Sequence, residues 1–257
     1  NFKPEIVKEI DGVKVIQPFQ FKTKRVEINL FPYIFSTIYF LLRNKTDLVY
    51  IYKPTPISIV GLISKFIYGS KVVLDMDDVG SEVMKIEGHP KHQIKLVEWC
   101  EKLAADYSDA IVTASTFLEK RYRNHYKNKP ILTISNGVSS EWFSELNYTN
   151  HNKRIVFMGS INRKNILEPL FDSLPKIVST HNDLEVLIIG DGNFLEYFKT
   201  RTIELGLEKN VVFKGWMKIE DAEKLLMAGD IGYNYMPNEL TTKSASNMKV
   251  MQYMARG

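Results

Sequence analysis

Arg163 and Lys164 stand side by side in a polar turn, Ile161-Asn162-Arg163-Lys164-Asn165, directly after an apolar run that stops at Gly159-Ser160. Adjacent cations on a short turn can steady an oxyanion, most of all one whose negative charge grows as a bond breaks. A second apolar run, Leu184 to Ile189, ends in Gly190-Asp191-Gly192. Two such loops within forty residues, one of them basic, point to a phosphorylated ligand. A third candidate is the acidic string Asp75-Met76-Asp77-Asp78. If its strand persists through Asp77, alternation places Asp75 and Asp77 on one face. Such a string could hold a metal, or it could only cap the next segment. His89 and His92 are close in sequence, but no cysteine or third histidine nearby completes a zinc set. Neither a Gly-x-Ser-x-Gly nor a phosphate-binding Gly-Lys-Ser/Thr motif occurs.

Each stretch needs an element to hold it. From Arg154 to Gly192 the pattern is strand, glycine turn, helix, strand, glycine turn, the grammar of a parallel α/β unit. The helix is marked by Ile166, Leu170, Phe171, Leu174 and Ile177. In such sheets, loops after the strand ends line a crevice, and helix N-termini there present free N–H groups. Upstream, Val13–Ile16 reads as a strand after an Asp11-Gly12 turn, preceded only by a short charged lead. Leu30 to Leu42 reads as a helix with Pro32 in its first turn, apolar nearly all round and flanked by Lys24, Arg25, Arg43 and Lys45. It is either a core helix or an interfacial one facing lipid headgroups.

Strands are expected over Asp47–Tyr52, Lys71–Met76, Ala110–Ala114 and Ile131–Ser135. A helix from Pro56 to Gly69 lies between the first two. A long helix shows Leu96, Trp99, Leu103 and Tyr107 on one face, and a basic helix runs from Phe117 to Tyr126. Further on come a helix closed by Gly206, a strand Val211–Gly215, a helix Asp221–Ala228, a strand Asp230–Tyr235 and an amphipathic helix Met248–Ala255. The polar segment Ser139–Asn152, anchored by Trp142, Phe143 and Leu146, is the best boundary. It divides the chain into domains at 1–146 and 147–257.

The composition is globular, 44% hydrophobic and 25% charged, with a net charge of +4. That favours anionic partners, but no Lys/Arg cluster reads as a nucleic-acid arm. The single cysteine, Cys100, excludes an intramolecular disulfide and fits a reducing compartment. No signal peptide is visible at the start. The longest uncharged run, Ile28 to Leu42, falls short of the ~20 residues a bilayer needs. The expectation is a cytoplasmic chain, touching at most the inner face of a membrane.

Together these residues resemble the retaining GT-B glycosyltransferases of the family 4 (group 1) type. The resemblance is strongest in RIVFMGSINRKN, LEVLIIGDGN, VVFKGWM, GDIGYNYMP and NMKVMQYMARG, and DLVYIYKP, VVLDMDD and ISNGVSSEWF add to it. It implies two Rossmann-like domains facing a cleft, and transfer of a sugar from a nucleotide-diphosphate donor with retention. In relatives the loop after the first strand of the second domain gives a basic pair to the donor diphosphate, and Lys164 matches its lysine. The usual arginine is Ser160 here, so either Arg163 takes its place or the pair is incomplete.

By the same resemblance Gly159, Ser160, Gly190, Asp191, Gly192, Ser246, Asn247, Met248, Lys249 and Gln252 bind the donor nucleotide, with the last helix pointing N–H groups at phosphate. Gln252 stands where relatives place a ribose-binding glutamate. The paired upstream glutamate falls near Ser244, and Glu239 is too early to match it. Asp77 stands where relatives often carry a cleft histidine, and would bind sugar hydroxyls or act as a base toward the acceptor. Relatives position the diphosphate without a bound metal, so neither metal nor other cofactor is expected. The acceptor would be a glycan or lipid-linked, with peripheral membrane contact and no nucleic acid.

Relatives extend at both ends, so the resemblance makes this stretch a clipped one, expected to be poorly active alone. The rival readings are a non-catalytic partner subunit of the same fold and a GT-B sugar-nucleotide epimerase.

Overall fold

The computed structural model describes residues 5–19, 21, 26–140, 143, 153–227 and 229–255. The chain divides into two compact units, residues 1–135 with 243–246, and residues 136–242 with 247–257. The expected division at 146/147, the anchors Trp142 and Leu146, the flanking Lys24 and Arg25, and Ala228 lie outside the described residues.

The first unit opens with β1 (Glu5–Ile10) and β2 (Val13–Gln17), paired antiparallel. Glu5–Ile10 is therefore a strand, not a formless lead. It carries Glu5, Lys8 and Glu9, and its pairing with β2 shifts register between Ile6 and Lys8. Helix α1 (Val26–Arg43) starts earlier than its apolar run, which puts Pro32 inside the helix rather than in its first turn. There the proline withholds one N–H from the ladder. Phe31 and Phe35 are 67% and 60% exposed, so α1 is not a deeply buried core helix.

A four-stranded parallel sheet follows, in the order β3 (Leu48–Tyr52), β4 (Lys71–Met76), β5 (Ala110–Thr113), β6 (Ile131–Thr133). The connections are α2 (Leu62–Tyr68), α3 (Gly80–Ile86) with α4 (Lys91–Tyr107), and α5 (Thr116–His125). Ile51, Val72, Leu74, Met76 and Ile111 form the core with Ala104, Ala105 and Leu118. Helix α4 buries Ile94, Cys100, Ala104 and Ala105, while Leu96, Trp99 and Tyr107 are exposed. The face expected from its large side chains is thus corrected: small residues let this helix lie close to the strands. No helix among the described residues is long and apolar enough to cross a membrane.

The second unit holds β7 (Arg154–Met158), α6 (Glu168–Thr180), β8 (Glu185–Ile189), α7 (Leu195–Glu204), β9 (Val211–Gly215), α8 (Ile219–Met227), β10 (Ile231–Gly232) and α10 (Met248–Ala255), and α9 (Leu240–Ser244) begins in it and ends in the first. Its sheet is parallel, in the order β10-β7-β8-β9. Ile155, Phe157, Val186 and Ile188 pack on Leu170, Phe171, Leu174 and Phe198, while Val156, Met158, Leu187 and Ile189 pack on Ala222 and Leu226. Burial on both faces explains why β7 and β8 read as unbroken apolar runs. The expected strand Asp230–Tyr235 shrinks to two residues, and the polar run after it contains α9.

Candidate functional site

The strand order reverses at β7: β8 and β9 extend to one side and β10 lies on the other. Open α/β sheets bind ligands outside the carboxyl ends at such a reversal. Gly159 and Ser160 leave β7 at this point. Gly159 has φ 153°, and a Cβ on it would sit 2.3 Å from Lys249 Cε. Gly190 has φ 141°, and a Cβ there would lie 1.9 Å from the Gly159 carbonyl oxygen. The loops after β7 and β8 therefore pass each other with room for no side chain between them.

Backbone bonds lace the two loops together. Gly159 N–H donates to the Ile189 carbonyl at 2.9 Å, and Ile161 N–H to that of Asp191 at 2.9 Å. Asn193 N–H donates to Asn162 Oδ1 at 3.2 Å. Two amides of the glycine turn are already occupied: Gly190 N–H donates to the Gly215 carbonyl, and Gly192 N–H to Asp191 Oδ1 at 2.7 Å.

Helix α10 is fastened across the reversal by Tyr253. Its hydroxyl accepts from Met158 N–H at 3.0 Å and donates to the Tyr233 carbonyl at 3.3 Å, tying the end of β7 to the chain after β10. Lys249, one turn earlier on the same face, is thereby laid over Gly159. The helix tip differs from the expectation of free N–H groups. Asn247 Oδ1 accepts from Lys249 N–H at 3.0 Å and Val250 N–H at 3.4 Å, as an N-cap residue does. Met248 is exposed, Ser246 and Gln252 half-buried.

The two loop cations have partners. Arg163 Nη2 lies 2.6 Å from Glu239 Oε2. Lys164 Nζ lies 2.9 Å from Glu168 Oε1 and 4.2 Å from the Tyr197 ring centre. Tyr197, and then Glu168, raise the pKa of Lys164, which stays charged. Glu239, too early in the sequence to match the ribose-binding glutamate, has a different role: it meets Arg163 across 76 positions of chain.

In the first unit Asp75 and Asp77 do share a face. Tyr50 Oη donates to Asp75 Oδ2 at 2.6 Å and Tyr52 Oη to Asp77 Oδ2 at 3.3 Å. The bond to Asp75 pushes the Tyr50 phenol up to about 12. Lys53 bridges Asp77 at 3.3 Å and Asp78 at 3.0 Å from a backbone with φ 53°, uncommon for a residue with a Cβ. Burial would lower its pKa, but the bonds and charges of Asp78 and Asp77 outweigh that and raise it. The only sequence signal for Lys53 is its place at the end of β3, beside the acidic end of β4. Glu101 was equally hidden: it accepts from Ser81 N–H at 2.9 Å and Ser81 Oγ at 2.7 Å, capping α3 directly after Asp77-Asp78. Among the described residues no group of three His, Cys, Asp or Glu side chains is placed to hold a metal.

Comparison with known proteins bears on this sheet directly. Residues 152–257 match the family of glycosyl transferases group 1. An uncharacterised glycosyltransferase of Methanocaldococcus jannaschii is 24% identical over 167 residues, 59% of this chain and 42% of that protein. Among solved structures, sucrose-phosphate synthase from Thermosynechococcus elongatus superposes with a TM-score of 0.67 at 15% identity, covering 90% of this chain and 61% of that one. A variant of S. aureus TarM in complex with fondaparinux, alpha-GlcNAc-glycerol and UDP gives 0.64 at 15% identity, covering 89% and 43%. The fold is thus α/β with parallel sheets, of the GT-B kind. The chain spans less than two thirds of the length of each of these relatives.

Proposed function

We propose that this chain serves a glycosyltransferase that moves a sugar from a nucleotide-diphosphate donor to a glycan or lipid-linked acceptor, with retention and without a bound metal. The observation that carries the reading is the convergence, at the strand-order reversal, of two glycine-led loops and the start of α10 on Gly159. A diphosphate is compact and anionic, and suits backbone approached that closely. Lys164 stands on the same loop, and its charge would offset the charge growing on the leaving diphosphate. Asp77, held by Tyr52 and Lys53, would address the sugar or acceptor hydroxyls. The exposed Phe31 and Phe35 of α1, with Arg43 and Lys45 nearby, are consistent with contact at an anionic membrane face.

Slow donor hydrolysis tests the activity. The chain, incubated with UDP-, GDP- or ADP-sugars, is expected to release nucleoside diphosphate from one of them. Lys164→Ala should cut that release about 100-fold, the scale of losing one stabiliser of developing charge. Unchanged release would end the assigned role of Lys164. A second reading, a non-catalytic subunit of the same fold, is favoured by the commitment of Arg163 to Glu239. It predicts no release from any donor.

A further inference from the structure

We propose that Lys249 is the second diphosphate cation of this chain, acting from α10 where the position after Gly159 supplies only Ser160. The proposal rests on the nucleotide-diphosphate reading above. A Cβ on Gly159 would lie 2.5 Å from Lys249 Nζ, so the ammonium occupies the space that the missing side chain leaves at the end of β7. It lies 4.8 Å from the centre of the buried Phe157 ring, on a side chain that is itself half-buried.

What sets Lys249 apart is the want of a counter-charge. Arg163 is paired with Glu239 and Lys164 with Glu168, whereas the Lys249 ammonium has no hydrogen-bond or ion-pair partner among the described residues. Burial lowers its pKa, and no neighbouring carboxylate acts in the other direction. It also sits in the first turn of α10, where the helix dipole already places positive charge. The Phe157 ring compensates in part. A half-buried cation at the positive end of a helix costs stability in the empty protein, and an anion bound there would relieve it. Asn247 already accepts from two of the α10 amides, which leaves fewer of them for a ligand.

The experiment titrates UDP, GDP and ADP against the wild-type chain, Lys249→Met and Lys249→Gln, by calorimetry and by thermal shift. One diphosphate should bind the wild type. Both variants, which keep the stem that packs on Gly159, should bind it about tenfold or more weakly. Their unliganded melting temperatures should equal or exceed that of the wild type. Binding that the variants keep within about threefold would overturn the role of Lys249 and leave the functional reading intact. No diphosphate binding to the wild type would sink that reading itself. Loss of folding in both variants would also overturn the proposal, because the ammonium would then be a structural group.

Discussion

A single oxygen on Tyr253 holds the second unit's site in register, and its surroundings show in its chemistry. Burial pushes this phenol up to about 12, so it stays protonated and keeps donating to the Tyr233 carbonyl. Tyr253→Phe leaves the Met158 N–H unpaired beside a buried strand and should cost about 1–2 kcal/mol, read as a lower urea midpoint. The two loop glycines should respond unequally to alanine. At Gly159 the new Cβ meets the far end of a lysine, which can swing away, so the cost should be about 1–2 kcal/mol, mostly backbone strain. At Gly190 it meets a backbone carbonyl that cannot move alone, and the loss should be about 3 kcal/mol or more. Equal melting temperatures for the two variants would contradict this geometry.

At the scale of elements, Glu101 links α4 to the first turn of α3, which follows Asp77 and Asp78. Burial raises its pKa from the ordinary 4.5, against the two Ser81 bonds that lower it. An acid whose folded pKa is raised binds more proton in the native state than in the unfolded one. Stability therefore falls as pH climbs from 4.5 through the raised value. Over that window the melting temperature of the wild type should decline relative to Glu101→Gln; parallel curves would refute it.

The elements themselves were largely legible where burial on two faces leaves an unbroken apolar run, as in β7 and β8. Small residues carry too weak a hydrophobic signal to mark a buried face. Helix α4 turns Cys100, Ala104 and Ala105 inward, and its conspicuous Trp99 outward. Long-range partners were out of reach in principle: nothing local to Arg163 announces Glu239, and nothing local to Ser81 announces Glu101. The glycines and cations of the site were visible. Which of them are already satisfied by the protein was not, because capping by Asn247 and pairing with Glu239 depend on the fold.

For the whole molecule, a net charge of +4 should draw in an anionic donor. Screening shortens from ~10 Å at 0.1 M salt to ~3 Å at 1 M. Donor association should therefore slow as salt rises, while dissociation from partly buried contacts changes less. Stopped-flow mixing would separate the two, and a salt-independent on-rate would count against electrostatic capture.

The one cysteine offers a clock. Cys100 is fully buried in α4, and burial pushes its thiol up to about 11, so it is a poor nucleophile while the helix is closed. Alkylation by a thiol reagent then counts openings of the first unit, undisturbed by any other sulfhydryl. On the proposed function, added nucleotide would bind the second unit. If it slows alkylation, the two units open as one; if the rate holds, the first breathes on its own.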